Sequence, residues 1–211
     1  MSSRKPLSGR RVSRFAFAVL LALACSRAAH ANAWSPGQVI TYGEFDWATG
    51  GSASSLLADH YLAVYPTATV LTGQPIGGFV DIFDNPATIS AYLPTVGSGS
   101  DASLDSDYID PASDSSGSLG GSVLALELGV DFSDAGVTLG SSDIPFGDLV
   151  LENVALVPSA DGLTVRQFLA DANTDLGGGT SPFTVVQADE LALGLAEAFD
   201  GGIPSSSPKK V

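Results

Sequence analysis

Between Trp34 and Pro208 the sequence contains a single Lys or Arg, Arg166. A chain so poor in cations cannot be held together by networks of ion pairs, because the partners are missing. All 23 acidic residues lie in this stretch, and from Trp34 onward they are opposed only by Arg166, Lys209 and Lys210, a net charge of about −20. Nucleic acid and anionic lipid both require basic patches, so neither is an expected partner. The one cysteine, Cys25, lies before Trp34, which leaves no disulfide framework. Stability must come from a hydrophobic core. The stretch from Trp34 to Val211 is long enough to bury about 70% of its unfolded surface in one.

The first 33 residues read as an export signal. Arg4, Lys5, Arg10, Arg11 and Arg14 form a basic region, "FAFAVLLALA" an apolar core, and "ANA" a small-residue cleavage site that ends at Ala33. The apolar run is too short to span a bilayer. The expected product begins at Trp34, is secreted, periplasmic or displayed at the cell surface, and carries no transmembrane anchor. Its acidity has three readings: a solvated surface that keeps an exported protein soluble, sites for Ca²⁺, or adaptation to salt.

Local patterns predict an α+β domain over 34–202. Trp34 to Trp47 suggests short strands broken at Gly43. Ser52 to Pro66 places Leu56, Leu57, His60, Tyr61 and Val64 on one helical stripe. Phe79 to Asp84 reads as a strand, and Asn85-Pro86 as the cap and first turn of a helix burying Ile89, Tyr92 and Leu93. Residues 97–118 are rich in Ser, Gly and Asp and read as a flexible acidic loop. Leu119 to Gly136 alternates like a strand and also carries a helical face, with its Ala and Leu content favouring helix. Asp148 to Val157 reads as a strand, and 203–211 as a disordered tail.

The segment Thr-Val-x-Gln occurs twice, at Thr164–Gln167 and Thr184–Gln187. In each copy the Thr hydroxyl can accept the N–H three residues on, while the Gln reaches back to the N–H of the Thr. That is a capping box, and Leu163 with Phe168 adds a hydrophobic staple. Val165, Phe168, Leu169, Ala172 and Leu176 form one apolar face, with Gly177 as a left-handed stop. Ala188, Leu191, Ala192, Leu195 and Phe199 form the second, stopped near Gly201. The result is a C-terminal helical hairpin over 163–201, several amphipathic helices before it, and a small, mainly antiparallel sheet.

Taken in order, "SLLADHYLAVYP", "ISAYLPTVG", "GGSVLALELGVDFSDAG", "GLTVRQFLADANTDLGGG" and "LALGLAEAFDGG" resemble a conserved region of exported bacterial surface proteins of the PEP-CTERM type. The resemblance spans roughly Ser52 to Gly202 and implies no catalytic residue. It supports the helical reading of 121–134. After Gly202 the sequence lacks the apolar sorting segment of that group.

Chemistry-bearing motifs are few. There is no nucleophile elbow, phosphate loop or dinucleotide fingerprint. His60 is the only histidine after Trp34 and sits on an apolar stripe, which reads as packing. No catalytic residue is therefore assigned, and Ca²⁺ is the one cofactor considered. Asp101, Asp105, Asp107 and Asp110 are close enough in sequence for a loose Ca²⁺ site, although they lack the Gly and distal Glu of an EF-hand loop. Tyr42, Phe45 and Trp47, flanked by Glu44 and Asp46, offer an aromatic platform for a glycan, and paired acids are also what a glycosidase uses. Three functions follow: a non-enzymatic structural or adhesive component of the bacterial exterior, with matrix or glycan as partner; a Ca²⁺- or glycan-binding module; and a secreted hydrolase.

Overall fold

In a computed structural model of the chain, residues 34–95, 97 and 99–205 are described. The export signal expected over 1–33 and residues 206–211 of the expected tail lie outside them. The order of elements is α1 (Glu44–Trp47), α2 (Ser54–Val64), β1 (Val70–Gly73), β2 (Val80–Phe83), α3 (Pro86–Tyr92), β3 (Tyr108–Ile109), α4 (Ser118–Asp134), α5 (Val165–Leu176) and α6 (Val185–Ala196). Single 3-10 turns occur at Phe146–Asp148 and Pro158–Ala160. The fold is α+β.

Helix α4 is the axis. It is buried on nearly all sides, as a helix that is apolar all round must be. One face, Leu119, Val123, Leu126 and Val130, joins a core with α5, α6 and the segment from Phe146 to Ala160. The opposite face, Leu124, Ala125, Leu128 and Phe132, joins a second core with Trp47, Leu57, Tyr61, Phe83, Ile89 and Tyr92. This two-sidedness accounts for the mixed helix and strand signal of 119–136, since an all-round apolar helix satisfies both periods. Its first turn packs close to neighbouring polar groups. A Cβ at Gly121 would collide with Thr95 and Glu44, and one at Gly120 with Ser116 and Tyr92.

The sheet is small and mixed. Strands β1 and β2 pair antiparallel from Val70↔Phe83 to Gly73↔Val80, and β3 joins β2 in parallel through Asp81↔Tyr108 and Ile82↔Ile109. The expected strand at 79–84 and the expected helices at 52–66 and 86–93 are present. Asn85 caps α3 by accepting the Ala87 N–H at 2.8 Å.

Both capping boxes of the hairpin are complete. The Gln167 N–H donates to Thr164 Oγ1 at 3.2 Å and the Thr164 N–H to Gln167 Oε1 at 2.8 Å. The second copy matches, at 3.2 Å and 3.0 Å. Val165, Phe168, Leu169, Ala172 and Leu176 are all buried, and α6 buries Ala188, Ala192 and Leu195. The left-handed residue after α5 is Gly178 (φ +83°), one position later than expected. Helix α6 ends at Ala196, before Gly201, because Phe199 turns inward. Its N–H donates to Thr41 Oγ1 and its carbonyl accepts the Thr41 N–H, both at 3.0 Å.

Three expectations fail. Asp148–Val157 is not a strand. Leu151, Val154, Val157 and Ala160 are buried, a spacing of three, and among the described residues the segment's only bridge is Val150↔Thr164. Residues 34–47 form no regular strand. The segment bridges Asp200 through Thr41, then closes into α1. The stretch expected as a flexible acidic loop over 97–118 is built into the fold across residues 99–118. Leu104 is buried, its N–H donates to the Leu176 carbonyl, and β3 lies within the stretch. Its carboxylates and hydroxyls supply the fastening that apolar content does not.

Replacing Thr164 or Thr184 by Ala removes one partner of an orphan helix N–H. Each change should cost about 1 kcal/mol and lower the melting temperature by about 2–4 °C. The Ser variants should restore most of that loss in the same thermal scan.

Candidate functional site

The expected calcium loop is not assembled. Asp105 accepts the Tyr108 hydroxyl at 2.7 Å, Asp107 the Val80 N–H at 3.1 Å, and Asp110 the Thr88 hydroxyl at 2.6 Å and the Asp84 N–H at 3.1 Å. Asp107 and Asp110 thus clip the loop to β2 and α3. Asp101 stands apart at the start of the segment, half-buried. Among the described residues no group of three or more His, Cys, Asp or Glu is gathered to hold a metal ion.

The expected aromatic platform is not formed either. Trp47 is fully buried, edge-on to Tyr42 at 5.3 Å and tilted against Phe132 at 5.1 Å. Only Phe45 stands out, 63% exposed. The turn of α1 sends the flanking acids apart. Glu44 is fully buried and accepts the Thr95 N–H at 2.6 Å, the Thr95 hydroxyl at 3.2 Å and the Ser122 hydroxyl at 3.0 Å. Burial raises its pKa, against those hydrogen bonds. Asp46 instead accepts the Ser52 hydroxyl at 2.6 Å at the surface. His60 is half-buried on the flank of α2.

Three groupings of carboxyl groups emerge that the sequence reading missed. The first is a cavity of about 520 Å³ where α1 meets the chain after α6. Phe45 and Ile203 supply apolar walls, and Asp46, Glu197 and Asp200 the acids. Partial burial raises the Asp200 pKa, and the neighbouring Asp46 raises it further.

The second is a cavity of about 200 Å³ between α4 and α5, with Glu127, Asp131, Arg166 and Asn173 around a floor of Val130 and Leu169. Asn173 is locked in place. Its Nδ2 donates to Glu127 Oε2 at 3.0 Å, and its Oδ1 accepts the Gly73 N–H at 2.7 Å. Burial pushes Glu127 up to about 7, helped by the Asp131 charge one turn away. Arg166 is turned outward and held by Asp134, at 2.8 and 2.9 Å, and by Asp148 at 3.3 Å. The signal for this pair was present in the sequence as two acids at i and i+4 inside the longest apolar helix pattern.

The third grouping is closed to solvent. Asp81 is fully buried on β2, and neither of its carboxyl oxygens meets a donor among the described residues. It faces Asp114, which accepts the Tyr92 hydroxyl at 2.5 Å and the Ser116 N–H at 2.6 Å. Burial, then the Asp114 charge, pushes Asp81 up to about 8. Both effects favour the protonated form of Asp81, because burial and a neighbouring carboxylate each penalise its charge.

Chemically, Glu127 can exchange a proton near neutrality beside a small open cavity, whereas Asp81 can do so only in the interior. Among the described residues no helix is long and apolar enough to cross a membrane. No family model, curated protein or solved structure matches the chain.

Both raised carboxyls make stability fall with pH. The folded state keeps its protons while the unfolded chain releases them, so the contribution is complete below the unfolded values of 4.5 and 3.8 and is lost as pH rises through about 7 for Glu127 and about 8 for Asp81. Melting temperature should decline across that window in the native sequence. Asp81→Asn, which places a permanent donor against Asp114, should flatten the upper part of the decline. An unchanged profile in Asp81→Asn would show that this carboxyl is already ionised in the fold.

Proposed function

We propose that the chain is a non-enzymatic, exported, acidic protein, a structural or adhesive component of the bacterial cell exterior. The observation that carries this reading is how its reactive side chains are used. Trp47, Glu44 and Asp81 are fully buried, and Asp107, Asp110 and Asp114 accept hydrogen bonds that hold loops and helix starts in place. The groups first read as a metal loop and a sugar platform serve the fold.

Further support comes from the sequence. The signal-like pattern over the first 33 residues and the ordered series of motifs resembling exported surface proteins point to the same compartment. A net charge of about −20 from Trp34 onward keeps such a protein soluble where salt screens it. Exported structural proteins need a stable body and a repellent surface more than a cleft.

Two measurements test the proposal. Cell fractionation with N-terminal analysis should recover a chain beginning at Trp34 outside the inner membrane; an intact Met1 form confined to the cytosol would end the reading. Thermal melting at matched ionic strength should shift no more with calcium than with magnesium. A calcium-specific rise that Asp101→Ala with Asp105→Ala abolishes would instead establish a binding module.

A further inference from the structure

Antiparallel strands put directly opposed residues on the same face, with Cβ atoms about 5 Å apart. Thr72 on β1 is opposed to Asp81 on β2. The neighbouring pair on that face, Val70 and Phe83, belongs to the core shared with α3 and α4, so Thr72 and Asp81 also point into the interior. Thr72 is 1% exposed and Asp81 0%. Among the described residues neither the Thr72 hydroxyl nor either Asp81 carboxyl oxygen has a hydrogen-bond partner, and the two side chains do not bond each other. Buried polar groups in a stable fold are almost always satisfied. Three unsatisfied oxygens on two facing residues therefore point to a ligand held between them, and the Thr72 hydroxyl says so independently of any acid.

The surroundings are fixed. Asp114 faces Asp81 and is itself held by the Tyr92 hydroxyl at 2.5 Å and the Ser116 N–H at 2.6 Å. The Tyr92 ring packs on Phe83 at 5.2 Å. Helix α4 closes this side through Gly120, where a Cβ would collide with Tyr92 Oη and Ser116 Oγ. Two carboxyls meet here without a cation, since Arg166, the only Lys or Arg between Trp34 and Pro208, is engaged by Asp134 and Asp148. The chemistry of the donors selects the ligand. All are hard oxygens, which suit a hard cation. Calcium takes six to eight oxygens, more than Thr72, Asp81 and Asp114 supply, and magnesium keeps waters that a site closed to solvent does not admit. Sodium takes fewer ligands and gives up its waters more readily.

We propose that Thr72, Asp81 and Asp114 bind a sodium ion in the interior, between the β1–β2 hairpin and the segment that leads into α4. The ion satisfies the oxygens that the protein leaves without donors and ties the hairpin to the acidic stretch. It does there what a lysine or arginine would do in a chain richer in cations. The site goes beyond the function proposed above, and calcium and magnesium are compared there at constant sodium, so the two readings fail separately.

Thermal melting of the full chain in sodium chloride and in choline chloride, at equal ionic strength, tests it. A proton and a cation are alternatives at Asp81, so the comparison is made above pH 8. Sodium at about tenfold its dissociation constant should raise the melting temperature by about 3–6 °C over choline, and the rise should saturate. Thr72→Val and Asp81→Asn should each abolish the difference between the two salts, and Thr72→Ser should keep it. Equal melting of the native chain in both salts would overturn the proposal and leave the site to water alone. A sodium effect that survives in both Thr72→Val and Asp81→Asn would overturn it as well, as the mark of a surface effect. A second measurement needs no variant. The ²³Na relaxation rate in a solution of the native chain should contain one saturable bound component, and its absence would also overturn the site.

Discussion

Much in this fold follows from a helix with little surface to spare for water. Helix α4 presents apolar side chains in two opposite directions, so it is stable only when neighbours cover both. The helical hairpin supplies one cover. Helices α1 to α3 and the small sheet supply the other. The division of the molecule into two cores with a shared member is thus a consequence of one segment's composition. It explains why the sheet can be so slight: β1, β2 and β3 need only wall one side of a helix, and they carry no core of their own. The glycines at the start of α4 extend the argument, since they let Glu44 and Tyr92 approach where any side chain would hold them off.

The second organising fact is the scarcity of cations. In most proteins a buried carboxylate finds a Lys or Arg. Here hydroxyls and backbone N–H groups take that place. Glu44 rests on Thr95 and Ser122, Asp114 on Tyr92 and Ser116, and Asp175 accepts the Ser181 hydroxyl at 2.6 Å. Hydrogen bonds to neutral donors do not offset the cost of burying charge as a cation would, and so Glu44 and Asp175 hold their protons to higher pH than free carboxyls do. The Ser- and Thr-rich composition is the complement of the acidic one.

How much of this was legible in the sequence depended on whether a feature was local. Helix starts were: Thr164, Thr184 and Asn85 act on N–H groups two or three residues away, and the structure shows each doing so. The amphipathic faces of α3 and α5 were legible for the same reason. Features that depend on distant partners were not. The aromatic cluster at Tyr42 to Trp47 looked like a surface because nothing nearby in sequence reveals that Phe132 lies against Trp47. The segment 148–157 alternated plausibly as a strand, yet its neighbours offered no ladder to join. The acidic stretch looked unfoldable by apolar content alone, and only the positions of Val80, Thr88 and Tyr92 show what its oxygens are for. The pairs Glu127 with Asp131 and Asp81 with Asp114 required knowing which side of an element faces inward.

The meeting of the two ends of the described chain carries a mechanical implication. The Gly37 N–H donates to the Gly202 carbonyl and Thr41 clasps Phe199, so the polypeptide enters and leaves the body at almost the same place. A tension applied through both ends would load that clasp first and, through Val39 and Phe199, the core to which they belong.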